Sequence, residues 1–118
     1  MNNYKTLVVW KKSVELSIQI YQSTENFPIE ERYGLIGQIR RSAVSIPANI
    51  AEGCGKNSQA EFAHFLNISL GSANETEYFL ILSKDLKYLD ENIFETLIKI
   101  INEIKAMLIA LISKVRTT

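Results

Sequence analysis

The chain has 118 residues, which suits one domain whose core needs no metal or disulfide to hold it together. Hydrophobic residues make up 47% of the chain, which excludes an intrinsically disordered protein. The 13 Lys and Arg residues balance 13 Asp and Glu residues, which excludes a uniformly basic nucleic-acid binder but leaves room for a basic patch. The single cysteine, Cys54, cannot form an internal bridge and fits a reducing compartment.

The apolar runs in the sequence are short. Near the N-terminus the run from Leu7 to Trp10 is too short for the core of a signal peptide, and no window approaches the ~18 apolar residues of a membrane helix. We therefore expect a cytoplasmic protein that makes no contact with a membrane.

A first helix is predicted from Val8 to Thr24, before the sequence Asn26-Phe27-Pro28 ends it. One apolar face has members spaced by four, four and three residues, namely Trp10, Val14, Ile18 and Tyr21. That spacing is typical of a helix and not of a strand.

A second helix is predicted to begin directly after Pro28 and to end at Gly53, with Glu30 and Glu31 in its first turn, where the helix dipole favours acids. Its apolar face consists of Ile36, Ile39, Ala43, Ile46 and Ile50. Pro47 removes one hydrogen bond and costs ~3 kcal/mol inside a helix. Because the apolar period continues in phase through Pro47, we predict one helix, kinked at residues 45–47, rather than two.

A third helix is predicted from Gln59 to Leu86, preceded by a capping box of Ser58 and Glu61. Its first apolar stripe is Phe62, Leu66, Ser69, Ala73, Thr76 and Leu80, and its second is Phe65, Ile68, Ser72, Glu75, Phe79, Leu82 and Leu86. Two stripes place a helix between neighbours, inside a bundle or at a subunit interface. The small residues Gly71, Ser72 and Ala73 would let another backbone approach closely.

A fourth helix is predicted after Asp90, a good N-cap. Its heptad seam is Leu97, Ile101, Ile104, Leu108, Leu111 and Val115, and further apolar residues widen it, namely Ile93, Ile98, Ile100, Met107, Ile109 and Ile112. The excess indicates either burial against another subunit or a very apolar terminal helix. Short connections without linkers or repeats predict an all-α fold, an antiparallel up-down four-helix bundle forming one domain over residues 1–118.

Residues suited to catalysis or metal binding are few. His64 is the only histidine, and neither it nor Cys54 has a flanking motif for nucleophilic chemistry. Glu61 and His64 match the Glu-x-x-His spacing of a di-iron bundle only once, whereas such a site needs it twice. The segment Gly53 to Asn57 lacks the Ser or Thr that follows the lysine of a phosphate-binding loop. We expect no catalytic residue, no metal, no cofactor and no enzyme activity.

A polar network is one hypothesis for the bundle core. Glu75 lies on an apolar stripe, and a buried carboxylate needs partners. Ser72, Asn49 and Arg40 could provide them and could satisfy carbonyls freed by Pro47. The alternative is that these groups are solvated.

Basic residues form a modest group in the first half of the chain. The candidates for phosphate contact are Lys11, Lys12, Arg40, Arg41 and Lys56. Charge alone is weak evidence, since most such residues lie on solvated helix faces.

Several segments together resemble one known family. They are Val9-Trp10-Lys11-Lys12-Ser13, the run from Gly34 to Gly53 that includes Ser45-Ile46-Pro47-Ala48-Asn49-Ile50-Ala51-Glu52-Gly53, and Phe65-Leu66 with Gly71-Ser72-Ala73-Asn74-Glu75. Over nearly the whole chain this sequence resembles the bacterial four-helix-bundle family of 23S rRNA intervening-sequence proteins. On that resemblance the architectural positions are Trp10, Pro47, Asn49, Glu52, Gly53, Gly71, Ser72 and Glu75.

The family in turn resembles the accessory variability protein of diversity-generating retroelements, a pentameric barrel that works with a reverse transcriptase and nucleic acid. The resemblance therefore implies a homopentameric, non-enzymatic adaptor that contacts RNA or DNA through Arg40, Arg41 and Lys56, with a protein partner such as a reverse transcriptase. The alternative is a protein–protein interaction scaffold without nucleic-acid affinity.

Overall fold

Four long helices make up most of the computed structural model, which describes residues 3–117. They are α1 (Val8–Ser23), α2 (Leu35–Cys54), α3 (Gln59–Asp85) and α4 (Glu91–Arg116). Short 3-10 turns, Tyr4–Thr6 and Ile29–Glu31, precede α1 and α2. The described residues contain no strand, and none of their helices is both long and apolar enough to cross a membrane.

The helices form an antiparallel bundle in which each packs against two neighbours, in the order α1, α2, α3, α4 and back to α1. The direction follows from bonds between neighbouring helices. Arg40 near the start of α2 reaches Tyr21 near the end of α1. Along α3, Ser69 bonds Ile46 of α2 and the later Thr76 bonds the earlier Ser42, so these two helices run in opposite directions. The predicted four-helix bundle is confirmed.

The core is built from aliphatic side chains of all four helices. Its fully buried large members are Leu16, Ile20, Ile39, Ile46, Ile50, Leu66, Leu80, Leu97, Ile101, Ile104 and Leu108. The predicted faces of α2 and of the first α3 stripe point into this core, as does the α4 seam, of which Leu111 is half-buried.

Helix α1 does not bury the face that its periodicity indicated. Its core residues are Val9, Leu16 and Ile20, whereas Ile18 is 53% exposed and Tyr21 is 45% exposed. Helix α1 therefore carries two apolar faces, one inside the bundle and one outside it. Periodicity identifies a helix but does not say which of two apolar faces is buried.

The predicted start of α2 directly after Pro28 is wrong by several residues. Glu30 and Glu31 lie in the short 3-10 turn, and Gly34, at φ −104° and ψ −113°, separates that turn from the helix. The Glu31 carboxylate still serves the helix from outside, because its Oε1 accepts a hydrogen bond from the Leu35 amide at 3.2 Å.

Helix α2 continues through Pro47, as predicted, and the bend at that point stays a prediction. In an α-helix the amide of residue 47 would bond the carbonyl of residue 43, and proline has no amide hydrogen. The buried Ser17 hydroxyl of α1 lies 3.3 Å from the Ala43 oxygen and supplies the missing donor.

The predicted caps of α3 and α4 are confirmed. Ser58 Oγ accepts from the Glu61 amide at 3.1 Å, and Asp90 Oδ1 accepts from the Asn92 and Ile93 amides. Most of the apolar excess of α4 is used within the chain, since Ile112 is buried and Ile98, Ile100 and Met107 pack against the core. Only Ile93 and Ile109 of that widened set are exposed.

Candidate interaction surfaces

Arg40, the first candidate for phosphate contact, is held by its own chain. Its Nε donates to Thr24 Oγ1 at 3.0 Å and its Nη2 donates to the Tyr21 carbonyl at 3.1 Å. The guanidinium also lies 4.5 Å from the centre of the Tyr21 ring. Arg40 therefore closes the C-terminal end of α1, where a cation also faces the negative end of the helix dipole.

Two of the candidate lysines also have partners within the chain. Lys12 pairs with Glu103 of α4 at 3.6 Å, and Lys56 pairs with Glu52 at 3.2 Å. Lys56 Nζ lies in addition 5.1 Å from the centre of the Phe65 ring. Such partly exposed pairs are weak, so they orient the lysines without removing their charge from the surface.

The five bases do not converge on one spot of a single chain. Arg40 and Lys56 are separated by 16 positions along and just beyond α2, which corresponds to roughly 24 Å at 1.5 Å per residue. Lys11 and Arg41 are the two exposed members of the set. A basic face would therefore have to be assembled from several copies.

The predicted polar network forms with different members. Ser45 Oγ and Ser72 Oγ are 2.9 Å apart, and Asn49 Nδ2 donates to Ser45 Oγ at 2.9 Å. Glu75 is exposed and takes no part in it, so the solvated alternative holds for this carboxylate and the buried one is wrong. Arg40 is also absent from the network, because it is turned towards α1.

Hydroxyl groups are the polar groups buried between the helices. Thr76 Oγ1 donates to Ser42 Oγ at 2.8 Å, and Ser69 Oγ donates to the Ile46 carbonyl at 2.8 Å. Small hydroxyl side chains that bond locally can occupy a tight helix seam without an unsatisfied polar atom. Ser17 and Ser42 were not predicted to take part, although their positions beside the buried apolar residues of α1 and α2 were the available signal.

The other architectural positions have different roles. Trp10 is half-buried and stacks edge-to-face on Tyr4, with ring centres 5.1 Å apart. A Cβ atom at Gly53 would lie 2.9 Å from the Phe65 Cβ atom, so this glycine is needed for contact between α2 and α3. A Cβ atom at Gly71 would have no neighbour within 4 Å, so the chain's own packing does not require glycine there.

An apolar groove runs between α1 and α2 on the outside of the bundle, with a volume of about 470 Å³. We call it the α1–α2 groove; the side chains that matter here are Val14, Ile18, Tyr21, Val44 and Pro47. Lys11 and Arg41 lie one helical turn before Val14 and Val44 respectively. The groove is thus an apolar surface with positive charge near it.

The groups suited to acid–base or thiol chemistry are dispersed. His64 is exposed and lies with Asn67 and Arg116 along a separate surface groove between α3 and α4, of about 480 Å³. Cys54 is buried, and burial raises the pKa of its thiol above the ordinary value. Among residues 3–117, no group of three His, Cys, Asp or Glu side chains is placed to hold a metal ion.

The fold defines a small all-α four-helix bundle whose distinctive surface is an exposed apolar groove. The family model of the 23S rRNA-intervening sequence proteins matches residues 5–110, and the chain belongs to that family. It is also similar to a protein of unknown function from the S23 ribosomal protein family of Bacteroides thetaiotaomicron, known from a crystal structure. The two chains are 37% identical, with a TM-score of 0.81, and the similarity covers 89% of this chain and 98% of that one. No curated protein matches this chain.

Proposed function

We propose that this protein is a non-enzymatic, self-associating adaptor of the cytoplasm that acts mainly through protein–protein contacts. The observation that carries the proposal is the second apolar face of α1. Ile18 and Tyr21 are about half exposed although they recur at helical spacing beside Val44 of α2. A continuous exposed apolar surface of this kind marks an interaction site more often than scattered single residues do.

Assembly gives the adaptor function its physical basis. One bundle of 118 residues offers a narrow surface, whereas several copies repeat every exposed group around a common axis or along a line. The homopentamer that the family resemblance implies is one such arrangement. A protein partner such as a reverse transcriptase would then meet a surface that repeats once per copy.

The second candidate function is binding of RNA or DNA by the assembled form. The observation that favours it is the exposure of two basic side chains, Lys11 and Arg41. One copy offers too few bases for strong binding, but an oligomer multiplies them. Binding of that origin weakens steeply as salt rises, because counterions are released from the phosphates.

One experiment separates these functions. We would titrate a fluorescently labelled structured RNA with the protein, follow anisotropy at low and near-physiological salt, and measure mass by light scattering on the same samples. Salt-sensitive binding that falls in Lys11→Ala/Arg41→Ala while the mass is unchanged would support the nucleic-acid function. The matched control is Lys99→Ala/Lys114→Ala, which removes two exposed lysines from α4. An oligomer that binds no RNA at low salt supports the protein scaffold.

A further inference from the structure

The solvent-facing side of α3 has a glycine at its middle. Gly71 lies well inside the 27-residue helix, is exposed, and leaves open space where a side chain would stand. Glycine inside a helix destabilises it relative to alanine, because glycine loses more conformational freedom on folding. No contact within one chain requires glycine at this position. Close approach of a second chain would require it, because a side chain there would stand in the way.

The residues around Gly71 make this surface both apolar and acidic. We call it the α3 face and define it by Ile68, Gly71, Glu75 and Tyr78, all of which are exposed. The exposed acids of α3 are Glu61, Glu75 and Asp85, whereas Glu77 pairs with Lys105 of α4. The single base of the helix, Lys84, is half-buried with its Nζ 4.5 Å from the centre of the Phe94 ring.

The lining of the α1–α2 groove is uncharged, but the two helices that form it carry excess positive charge, and Lys11 and Arg41 are their exposed bases. The bases of α1 and α2 are Lys11, Lys12, Arg40 and Arg41, and their acids are Glu15 and Glu52. One chain thus carries an apolar groove on helices with excess positive charge and an apolar face on a helix with excess negative charge. Opposite charges of this kind steer two surfaces together and fix their orientation.

We infer that the α3 face of one copy docks into the α1–α2 groove of the next copy of the same chain. The inference rests on the proposed self-association and identifies its two surfaces. The occupant is a second copy because both complementary surfaces lie on one chain whose formal net charge is zero. Gly71 would let the docked helix approach the groove closely, and Glu75 would face the bases beside it.

Such a contact is heterologous, since the two sides of the interface are different surfaces. Every copy then uses its α3 face in one contact and its α1–α2 groove in another, and the assembly closes into a ring or extends as a filament. A two-fold dimer differs, because in it the same surface of both copies forms the interface.

Two variants, each blocking one side, test the inference. Val44→Glu places an acid in the groove, and Gly71→Arg places a long basic side chain on the α3 face. Both sites are exposed, and a Cβ atom at Gly71 meets no neighbour, so helical circular dichroism should match the wild type. Ile18→Glu is the second groove variant should Val44→Glu lose helicity. Ile109→Glu, on α4, is the control, since Ile109 is about as exposed as Ile18 and more exposed than Val44.

Light scattering should give the 13.4 kDa mass of one chain for each blocking variant alone and the wild-type mass for the Ile109→Glu control. A mixture of the two blocking variants should form a one-to-one dimer, because one retains its α3 face and the other its groove. If wild type is an oligomer and both variants keep its mass, or if their mixture stays monomeric, this interface is wrong while self-association stands. A monomeric wild type overturns both.

Discussion

The hydroxyl of Ser17 lies 3.3 Å from the carbonyl oxygen of Ala43, the group that Pro47 leaves without its helical amide partner. The same hydroxyl lies 3.0 Å from the Ser13 carbonyl, whose own helix supplies an amide. A residue of α1 thus compensates for a proline in α2, at the seam beneath the α1–α2 groove.

Replacing Ser17 by alanine should lower the free energy of unfolding by about 1–3 kcal/mol, the cost of a buried acceptor without a donor. Urea denaturation measures the change. Ser13→Ala is the matched control, because Ser13 is also buried but donates to the Trp10 carbonyl within its own helix, so it should cost less. In a Pro47→Ala background, which restores an amide donor, most of the Ser17→Ala penalty should disappear. Equal penalties in both backgrounds would show that Ser17 does not serve the freed carbonyl.

Arg40→Ala should destabilise the bundle by about 1 kcal/mol, because Thr24 Oγ1 and the Tyr21 carbonyl lose the guanidinium that bonds them. Arg41→Ala, at an exposed neighbouring position, should change stability by less than about 0.5 kcal/mol. Thermal unfolding of the two variants provides the comparison. Equal melting temperatures would remove the structural role assigned to Arg40 and return it to the set of candidates for phosphate contact.

Gly53→Ala should destabilise the contact between α2 and α3, since the new methyl group would lie 2.9 Å from Phe65 Cβ and 3.0 Å from Phe62 Cδ1. Overpacking of this kind costs about 1–3 kcal/mol. Gly55→Ala is the control, because its nearest atom, the Glu52 oxygen, lies at an ordinary 3.5 Å. Chemical denaturation that shows no difference between the two variants would contradict a steric role for Gly53.

Lys87→Gly should stabilise the protein by about 1 kcal/mol. Lys87 has a φ of 65°, a left-handed conformation that costs a side-chain-bearing residue energy and glycine little. Differential scanning calorimetry should show a higher melting temperature for Lys87→Gly. Lys87→Ala keeps the Cβ atom and should show no comparable gain; a gain as large as that of glycine would point to the lost charge instead of the backbone.

The hydrogen bond from the Tyr88 hydroxyl to Glu31 Oε2, at 3.1 Å, should make stability sensitive to alkaline pH. This bond raises the pKa of Tyr88, with smaller contributions from burial and from the charges of Glu31 and Glu30. A raised pKa in the folded state means that the stabilisation is present below pH 10 and is lost as pH rises through the folded-state value. Tyr88→Phe should therefore be less stable than wild type at neutral pH, and the difference should shrink in strong alkali. A constant difference across that range would rule out the link.

Local sequence signals predicted the parts of the fold that depend on neighbouring residues. Ser58 and Asp90 cap their helices because a side-chain oxygen reaches an amide two or three residues away, and no tertiary contact is required. The continuity of α2 through Pro47 followed from the phase of its apolar residues. These features could be predicted because residues that are close in sequence are also close in space within a helical turn.

Features that depend on contacts between helices could not be predicted in this way. Ile18 belongs to a periodic apolar face, yet the bundle buries the neighbouring face that carries Leu16. Glu75 follows the spacing of a half-buried stripe but is itself exposed. Arg40 donates a hydrogen bond to Thr24 at the end of α1. In each case the outcome depends on where another helix packs, which the spacing within one helix does not specify.

The mass of the wild-type protein in solution shows whether the protein self-associates. We would measure mass by light scattering after size-exclusion chromatography over a wide range of protein concentrations. We predict a defined multiple of 13.4 kDa that persists on dilution and in high salt, since apolar contacts resist screening. A particle of 13.4 kDa at every concentration would contradict it and would leave the α1–α2 groove to a different partner.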